Sequence, residues 1–233
     1  MNPEYENIIH LAVNTVSLLQ NNQITARIYG GVAVLINCPL SHDFFISKGR
    51  LPKDIDFICR YSELKKLRTI LLNSGYVEKE ESQFIKHKRQ CFMKNGILLE
   101  FVFDELNYCH KIVLKNRLTD SYPTISIPDL FLSKIQNIKL SSSDILDICA
   151  LLNEFDLTKY FERISDILCN DFGFYKTTIQ NLDFIEEHVP NELLPIVKSI
   201  EKLKTKIVTD RKSIRWFIQK QIVNKNQWYN LVE

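Results

Sequence analysis

The spacing of apolar residues sorts the chain into two kinds of pattern. Over the first twenty residues Ile9, Ala12, Val16 and Leu19 recur at intervals of three and four, one face of a helix, which predicts a helix over about residues 3–20. Ala26–Tyr29 reads as a short strand that runs straight into Gly30-Gly31, with a second helix over 32–36. Residues 38–53, punctuated by Pro39, Gly49 and Pro52, read as a long loop. Asp54–Cys59 alternates polar and apolar only at its start, as a mostly buried strand with one functional end does. Ser62 is placed to cap a helix running through Glu63 and Leu64 to Leu72, and Gly75 to end it. The sharpest local signal lies at 90–103. Two apolar runs there flank Asn95-Gly96, the dipeptide favoured in a type I′ turn, so the segment reads as a β-hairpin.

Beyond Asp120 the pattern turns helical. Ile125 and Ile127 predict one last short strand, and Pro128 suits the first position of a helix over 129–138. Ser141, Ser142 and Ser143 precede a helix over 144–155, and further helices fit 161–169, 174–188, 191–208 and 212–223. No repeat or low-complexity stretch appears. The expected fold is α/β (α+β): a domain over 1–124 with a small mixed sheet and flanking helices, then a C-terminal helical domain over 125–233 that helps form a cleft.

Composition narrows the function classes. With 233 residues, 45% apolar and 25% charged, the chain can build a real core. A formal charge of +2 argues against wholesale nucleic-acid or membrane binding as a bulk property, though not against local patches. No apolar run approaches the roughly 20 residues that span a bilayer. The first residues are acidic where a signal peptide is basic, so the expectation is a cytoplasmic protein without a membrane partner. The six cysteines, Cys38, Cys59, Cys91, Cys109, Cys149 and Cys169, lack the close spacings of zinc sites and disulfide frameworks and are expected to be free thiols.

Three pieces carry candidate chemistry: Gly30-Gly31 between strand and helix, Asp54 and Asp56 on one strand, and Glu100 on the hairpin. A glycine pair before a helix is by itself a tight turn, and a D-x-D at a strand end is often a solvated edge. Glu100 is harder to set aside, because a carboxylate among Leu98, Leu99, Phe101 and Phe103 needs a cation, a metal or a solvent-facing side. Residues i and i+2 on a strand share a face about 6.6 Å apart. Two carboxylates so placed, joined by a third from a neighbouring strand, form a hard oxygen set for Mg²⁺ or Mn²⁺, whose paired ions sit ~3.5–4 Å apart in two-metal sites. Gly30 and Gly31, without Cβ atoms, let backbone approach phosphates at the start of a helix.

These residues resemble the nucleotidyltransferase superfamily with the DNA polymerase β palm, in its double-glycine variant, as in abortive-infection toxins. That pattern is Gly-Gly, a helix, a longer loop, then an Arg four residues ahead of an Asp-x-Asp strand; here these are Gly30-Gly31, Arg50 and Asp54-Ile55-Asp56, with the third carboxylate at Glu100. FVFDELNYCHKI, TISIPDLFLSKIQNIKLSSSDILDICALL, DFGFYKTTIQNL, RWFIQ and QWYNLV extend the resemblance, from about Arg27 to Tyr229, to a bacterial and archaeal branch that brings no substrate with it. The sequence departs from the family in two places. Many members carry Ser one or two residues before the first Asp, where Lys53 and Pro52 stand here. Glu100 replaces the usual Asp and lengthens the arm by one methylene.

The resemblance implies transfer of a nucleoside monophosphate from a nucleoside triphosphate to an acceptor hydroxyl. Asp54, Asp56 and Glu100 would be catalytic and would ligate Mg²⁺ or Mn²⁺; Gly30, Gly31, Arg50 and Lys134 would bind the nucleotide. For Lys134 a snorkelling surface role stands beside the phosphate role, and for Arg50 an ordinary loop charge. The acceptor is open between a small molecule, a tRNA end and a protein hydroxyl, as are the base and the oligomeric state. Asp144 and Asp147 read as cap or solvated face. Cys109-His110, taken as strand neighbours, would point to opposite faces and form no dyad. Lys86, His87, Lys88 and Arg89 read as a solvated edge or an acceptor contact. Nine Lys or Arg in 198–225, interleaved with Trp216 and Phe217, allow an RNA-binding reading, whereas Ile207, Ile214, Phe217 and Ile218 at helical spacing suggest a core stripe. The alternatives to an enzyme are a non-catalytic nucleotide- or partner-binding member of the fold and an RNA-binding module.

Overall fold

The computed structural model describes residues 3–79, 89–223 and 229. The chain forms two compact units, one made of Met1–Leu106 with Val113–Ser126 and the other of Asn107–Ile112 with Ile127–Glu233. The first holds helices α1 (Pro3–Asn21), α2 (Gly30–Asn37), α3 (His42–Ser47) and α4 (Leu64–Asn73) around a five-stranded mixed sheet. Its strands are β1 (Ala26–Tyr29), β2 (Asp54–Cys59), β3 (Val77–Glu78), β4 (Arg89–Lys94) and β5 (Ile97–Phe103), in the spatial order β1-β2-β5-β4-β3. Only β2 and β5 run parallel; the other neighbours are antiparallel. A separate pair follows, β6 (Glu105–Asn107) and β7 (Lys111–Val113).

Alternation along β5 decides which way the sheet faces. Leu99, Phe101 and Phe103 are buried, whereas Leu98, Glu100 and Val102 are half-buried. Side chains of a strand alternate between faces, so on β5 one face makes the core and the other stays partly exposed. On the core face Phe57 stacks on Phe101 at 4.6 Å and Phe92 meets Phe101 edge to face at 5.7 Å. Rings in such geometries add about 0.5–1.5 kcal/mol to their burial. The hairpin turn forms as expected: Asn95 and Gly96 have φ of 53° and 78°, the positive pair a type I′ turn requires.

The sequence expectation of a loop over 38–53 is corrected by a 3₁₀ turn, Pro39–Ser41, and by α3, whose Phe45 is fully buried. Six residues around one anchoring ring are too few to show a period. Nor does Ser62 cap α4: a 3₁₀ turn over Tyr61–Glu63 comes first, and its Tyr61 amide donates to Asp104 at 3.2 Å. The expected last strand shrinks to one parallel bridge between Thr124 and Ile28, with the Ile125 amide donating to the Ile28 carbonyl at 3.0 Å.

The second unit contains α5 (Ile127–Ile135), α6 (Ser142–Glu154), α7 (Phe161–Leu168), α8 (Phe172–Glu187), α9 (Ile196–Thr209) and α10 (Ile214–Val223). Helix α5 stops three residues earlier than its apolar pattern predicts, and the Asn181 side chain donates to the carbonyls of Ile135 and Asn137, both at 2.8 Å, serving acceptors that a helix end leaves open. The single helix expected over 191–208 is split by Pro195, which cannot donate within a helix interior: a 3₁₀ turn, Asn191–Leu193, precedes α9. The core stripe expected in the segment 198–225 is corrected in part. Ile207 is buried, but Ile214 is 80% exposed, and Phe217 and Ile218 are exposed as well. Trp216, only 6% exposed, enters the core instead, meeting Phe172 and Tyr175 edge to face at 4.9 and 5.3 Å.

Candidate functional site

The parallel register of β2 and β5 sets Asp56 opposite Glu100 and Asp54 opposite Leu98. Directly opposed residues share a face, and neighbouring strands lie about 4.8 Å apart. Asp54, Asp56 and Glu100 therefore project from one side of the sheet, the side away from Phe57 and Phe101. Asp54, at the start of β2, is exposed; Asp56 and Glu100 are half-buried. On the other flank β1 sets Tyr29 opposite Asp56, so the glycine pair that follows Tyr29 opens α2 beside the same carboxylate.

Contacts that a Cβ would make show how close this packing is. At Gly30, φ +68°, an added Cβ would overlap Asp56 Oδ2 and lie 3.0 Å from Asp56 Cγ. At Gly31 it would overlap an Arg50 Nη and lie 3.3 Å from Arg50 Cζ. Both the conformation and the space at Gly30 exclude a side chain. Arg50 is buried, and its carbonyl accepts a hydrogen bond from the Tyr5 hydroxyl, which ties the end of the α3 segment to α1. Tyr29 precedes α2 with extended backbone and supplies no side-chain cap. Gly30, Gly31, Arg50 and Asp56 are thus brought together, with Glu100 one strand away.

All donors here are carboxylate oxygens, a set suited to a hard divalent cation. As the side chains lie, no group of three His, Cys, Asp or Glu among the described residues is arranged to hold a metal ion. Glu100 instead forms an ion pair with Arg89, the first residue of β4. The register explains the meeting: β4 sets Cys91 opposite Glu100 and Arg89 opposite Val102, so Arg89 shares the carboxylate face one residue pair along. Arg89 was readable only as part of a basic run, yet counting outward from Asn95-Gly96 reaches it. The rest of that run, Lys86, His87 and Lys88, lies outside the described residues.

Lys134 belongs to the second unit. Its Nζ lies 3.3 Å from Asp144 and 2.8 Å from Asp147. Asp144 is indeed a cap, closing a capping box with Ser141. Burial opposes its ionisation, but Lys134 and the hydrogen bonds from Ser141 outweigh that and hold its carboxyl below the usual range. Asp147 is not on a solvated face: it is 1% exposed and ends at Lys134. Cys109 and His110 lie in the bend between β6 and β7 and not on a strand; both are buried. His110 hydrogen-bonds Thr177 at 2.8 Å and stacks on Phe174 at 4.8 Å, and burial, only partly opposed by Asp171, pulls its imidazole down to about 4. It is a neutral packing group at neutral pH.

The lysines of α9 and of the segment after it are largely engaged. Lys202 pairs with Asp156 at 3.2 Å, Lys204 with Asp183 and Glu186 at 2.5 and 2.7 Å, and Lys212 donates to the Ile207 and Asp210 carbonyls. All six cysteines are free thiols. No helix among the described residues is long and apolar enough to cross a membrane. No family model and no curated protein matches the sequence. Among solved structures, the solution structure of the antibiotic-resistance factor ANT(2'')-Ia is similar, with a TM-score of 0.46 and 11% identity over 78% of this chain and 98% of that chain.

Proposed function

We propose that the protein is a metal-dependent nucleotidyltransferase that moves a nucleoside monophosphate from a nucleoside triphosphate to an acceptor hydroxyl. One observation carries the reading: Asp54, Asp56 and Glu100 share one sheet face, with the Gly30 backbone packed against the Asp56 carboxylate. The triphosphate lies along Gly30 and Gly31, where the absence of Cβ atoms gives it access to the first amides of α2. The Arg50 guanidinium beside Gly31 offsets its charge. Asp54, Asp56 and Glu100 would hold Mg²⁺ or Mn²⁺, which when bound neutralises the phosphates and acidifies the acceptor hydroxyl. The acceptor proton passes to a Glu100 carboxylate oxygen, the hydroxyl oxygen attacks the α-phosphorus in line, and pyrophosphate leaves. A small molecule, a tRNA end or a protein side chain each presents the hydroxyl this site needs.

The test is incubation with each labelled nucleoside triphosphate and Mg²⁺ or Mn²⁺, beside an Asp54→Asn/Asp56→Asn variant. Release of pyrophosphate or self-labelling by the wild type alone is expected. Identical behaviour of the two proteins would remove the carboxylates from the chemistry. The Arg89–Glu100 ion pair favours one second reading, a nucleotide-binding protein without transferase activity. Calorimetric binding of nucleotide that depends on Asp56, with no pyrophosphate released in the presence of any acceptor, would select it.

A further inference from the structure

Arg89 and Glu100 stand on adjacent antiparallel strands, on the face that also carries Asp54 and Asp56. The pair is unequal: the Glu100 side chain is 12% exposed, whereas that of Arg89 is 46% exposed. A carboxylate this sheltered needs a counter-charge. The register supplies one from within the sheet. We propose, resting on the metal-dependent reading above, that Arg89 is a positioning residue. It holds the Glu100 carboxylate while the metal site is empty and is the group a divalent cation must displace to recruit Glu100 beside Asp54 and Asp56.

The physical asymmetry makes such an exchange workable. An ion pair with one partner about half in water is weak, since solvent screens it and the long arginine chain loses freedom when it is held. A divalent ion carries twice the charge and is served by two further carboxylates on the same face. The exchange breaks no covalent bond. It trades one Arg89–Glu100 contact for a Glu100–cation contact and returns the guanidinium to solvent at the edge of the site. Metal affinity in the wild type is accordingly lowered by the work of breaking the pair, and the third carboxylate is committed only when cation is present.

The experiment is a nucleotide-free Mn²⁺ titration followed by electron paramagnetic resonance. It compares wild type, Arg89→Gln, Glu100→Gln, the Arg89→Gln/Glu100→Gln double variant and Asp54→Asn/Asp56→Asn, with the metal-free melting temperature of each as a control for folding. Arg89→Gln should tighten Mn²⁺ binding by roughly two- to fivefold, the scale of a part-exposed ion pair. In the Glu100→Gln background the same substitution should change nothing. Unchanged or weaker binding by Arg89→Gln overturns the proposal. So does an equal gain in the Glu100→Gln background, which would mark Arg89 as a diffuse positive charge and not as the partner of Glu100. Mn²⁺ binding that disappears in Asp54→Asn/Asp56→Asn but ignores Arg89→Gln removes the displacement step and leaves the metal site standing. A wild type that binds no Mn²⁺ removes both.

Discussion

Two glycines of this chain allow strain and overlap to be told apart. Gly30 and Gly96 have similar positive φ, +68° and +78°, but a Cβ at Gly96 would meet nothing within 4 Å, whereas one at Gly30 would overlap the Asp56 carboxylate. Gly96→Ala measures the backbone penalty alone, about 1–2 kcal/mol. Gly30→Ala adds a displacement of Asp56, and misplacing a reacting group by about 1 Å costs on the order of 100-fold in rate. Chemical denaturation and transfer assays on both variants should show a larger loss of stability for Gly30→Ala, whose overlap adds to the backbone penalty, and a loss of activity confined to it. Equal activity in the two would mean that the close approach of Gly30 to Asp56 is a packing detail. The glycine pair itself was conspicuous in the sequence because it separates a strand from a helix. Its carboxylate neighbour was not, since the approach of Gly30 to Asp56 depends on β1 and β2 pairing across more than twenty intervening residues.

At the scale of the element, Lys134 tests whether a helix residue serves packing or ligand. Its ammonium ends between Asp144 and Asp147 on α6, and Asp147 has almost no exposure to water. Removing one partner of a buried pair strands the other charge and costs about 3–5 kcal/mol, while replacing both with apolar groups is often neutral. Lys134→Met should therefore lower the melting temperature sharply, and Lys134→Met/Asp147→Leu should recover most of it. A Lys134→Met protein that melts like the wild type but binds nucleotide weakly would instead give the residue to the phosphates. Elements also show where sequence patterns stop being informative. The β4–β5 hairpin could be read to the residue, because its turn type fixes the count from Lys94 opposite Ile97 to Cys91 opposite Glu100. Helix α10 could not. In ten residues Ile214, Phe217 and Ile218 mimic a core stripe, and only the aromatic pocket of Phe172 and Tyr175 on another helix decides that Trp216 is the residue buried.

For the whole molecule, a mixed sheet followed by helices was legible from the change in periodicity near residue 124, since periods of two and of 3.6 are hard to confuse over long stretches. The parallel pairing of β2 with β5 was not, because no local turn dictates it; yet that pairing sets Asp56 opposite Glu100. The division into two units makes a ligand effect traceable. Gly30, Gly31, Arg50, Asp54, Asp56 and Glu100 all fall within the unit formed by Met1–Leu106 and Val113–Ser126, while Lys134 falls in the other. A ligand that binds only folded protein stabilises it by about 2.7 kcal/mol at one hundred times its dissociation constant. For a unit of this size that corresponds to a rise on the order of 10 °C. Calorimetric scans with Mg²⁺ and saturating nucleoside triphosphate should move the transition of the first unit by that amount. The Asp54→Asn/Asp56→Asn protein should not respond, since without those carboxylates the triphosphate keeps its full charge. A shift of equal size in that variant would mean the nucleotide binds without the carboxylates, and a shift confined to the transition of the second unit would move the binding site onto the helices.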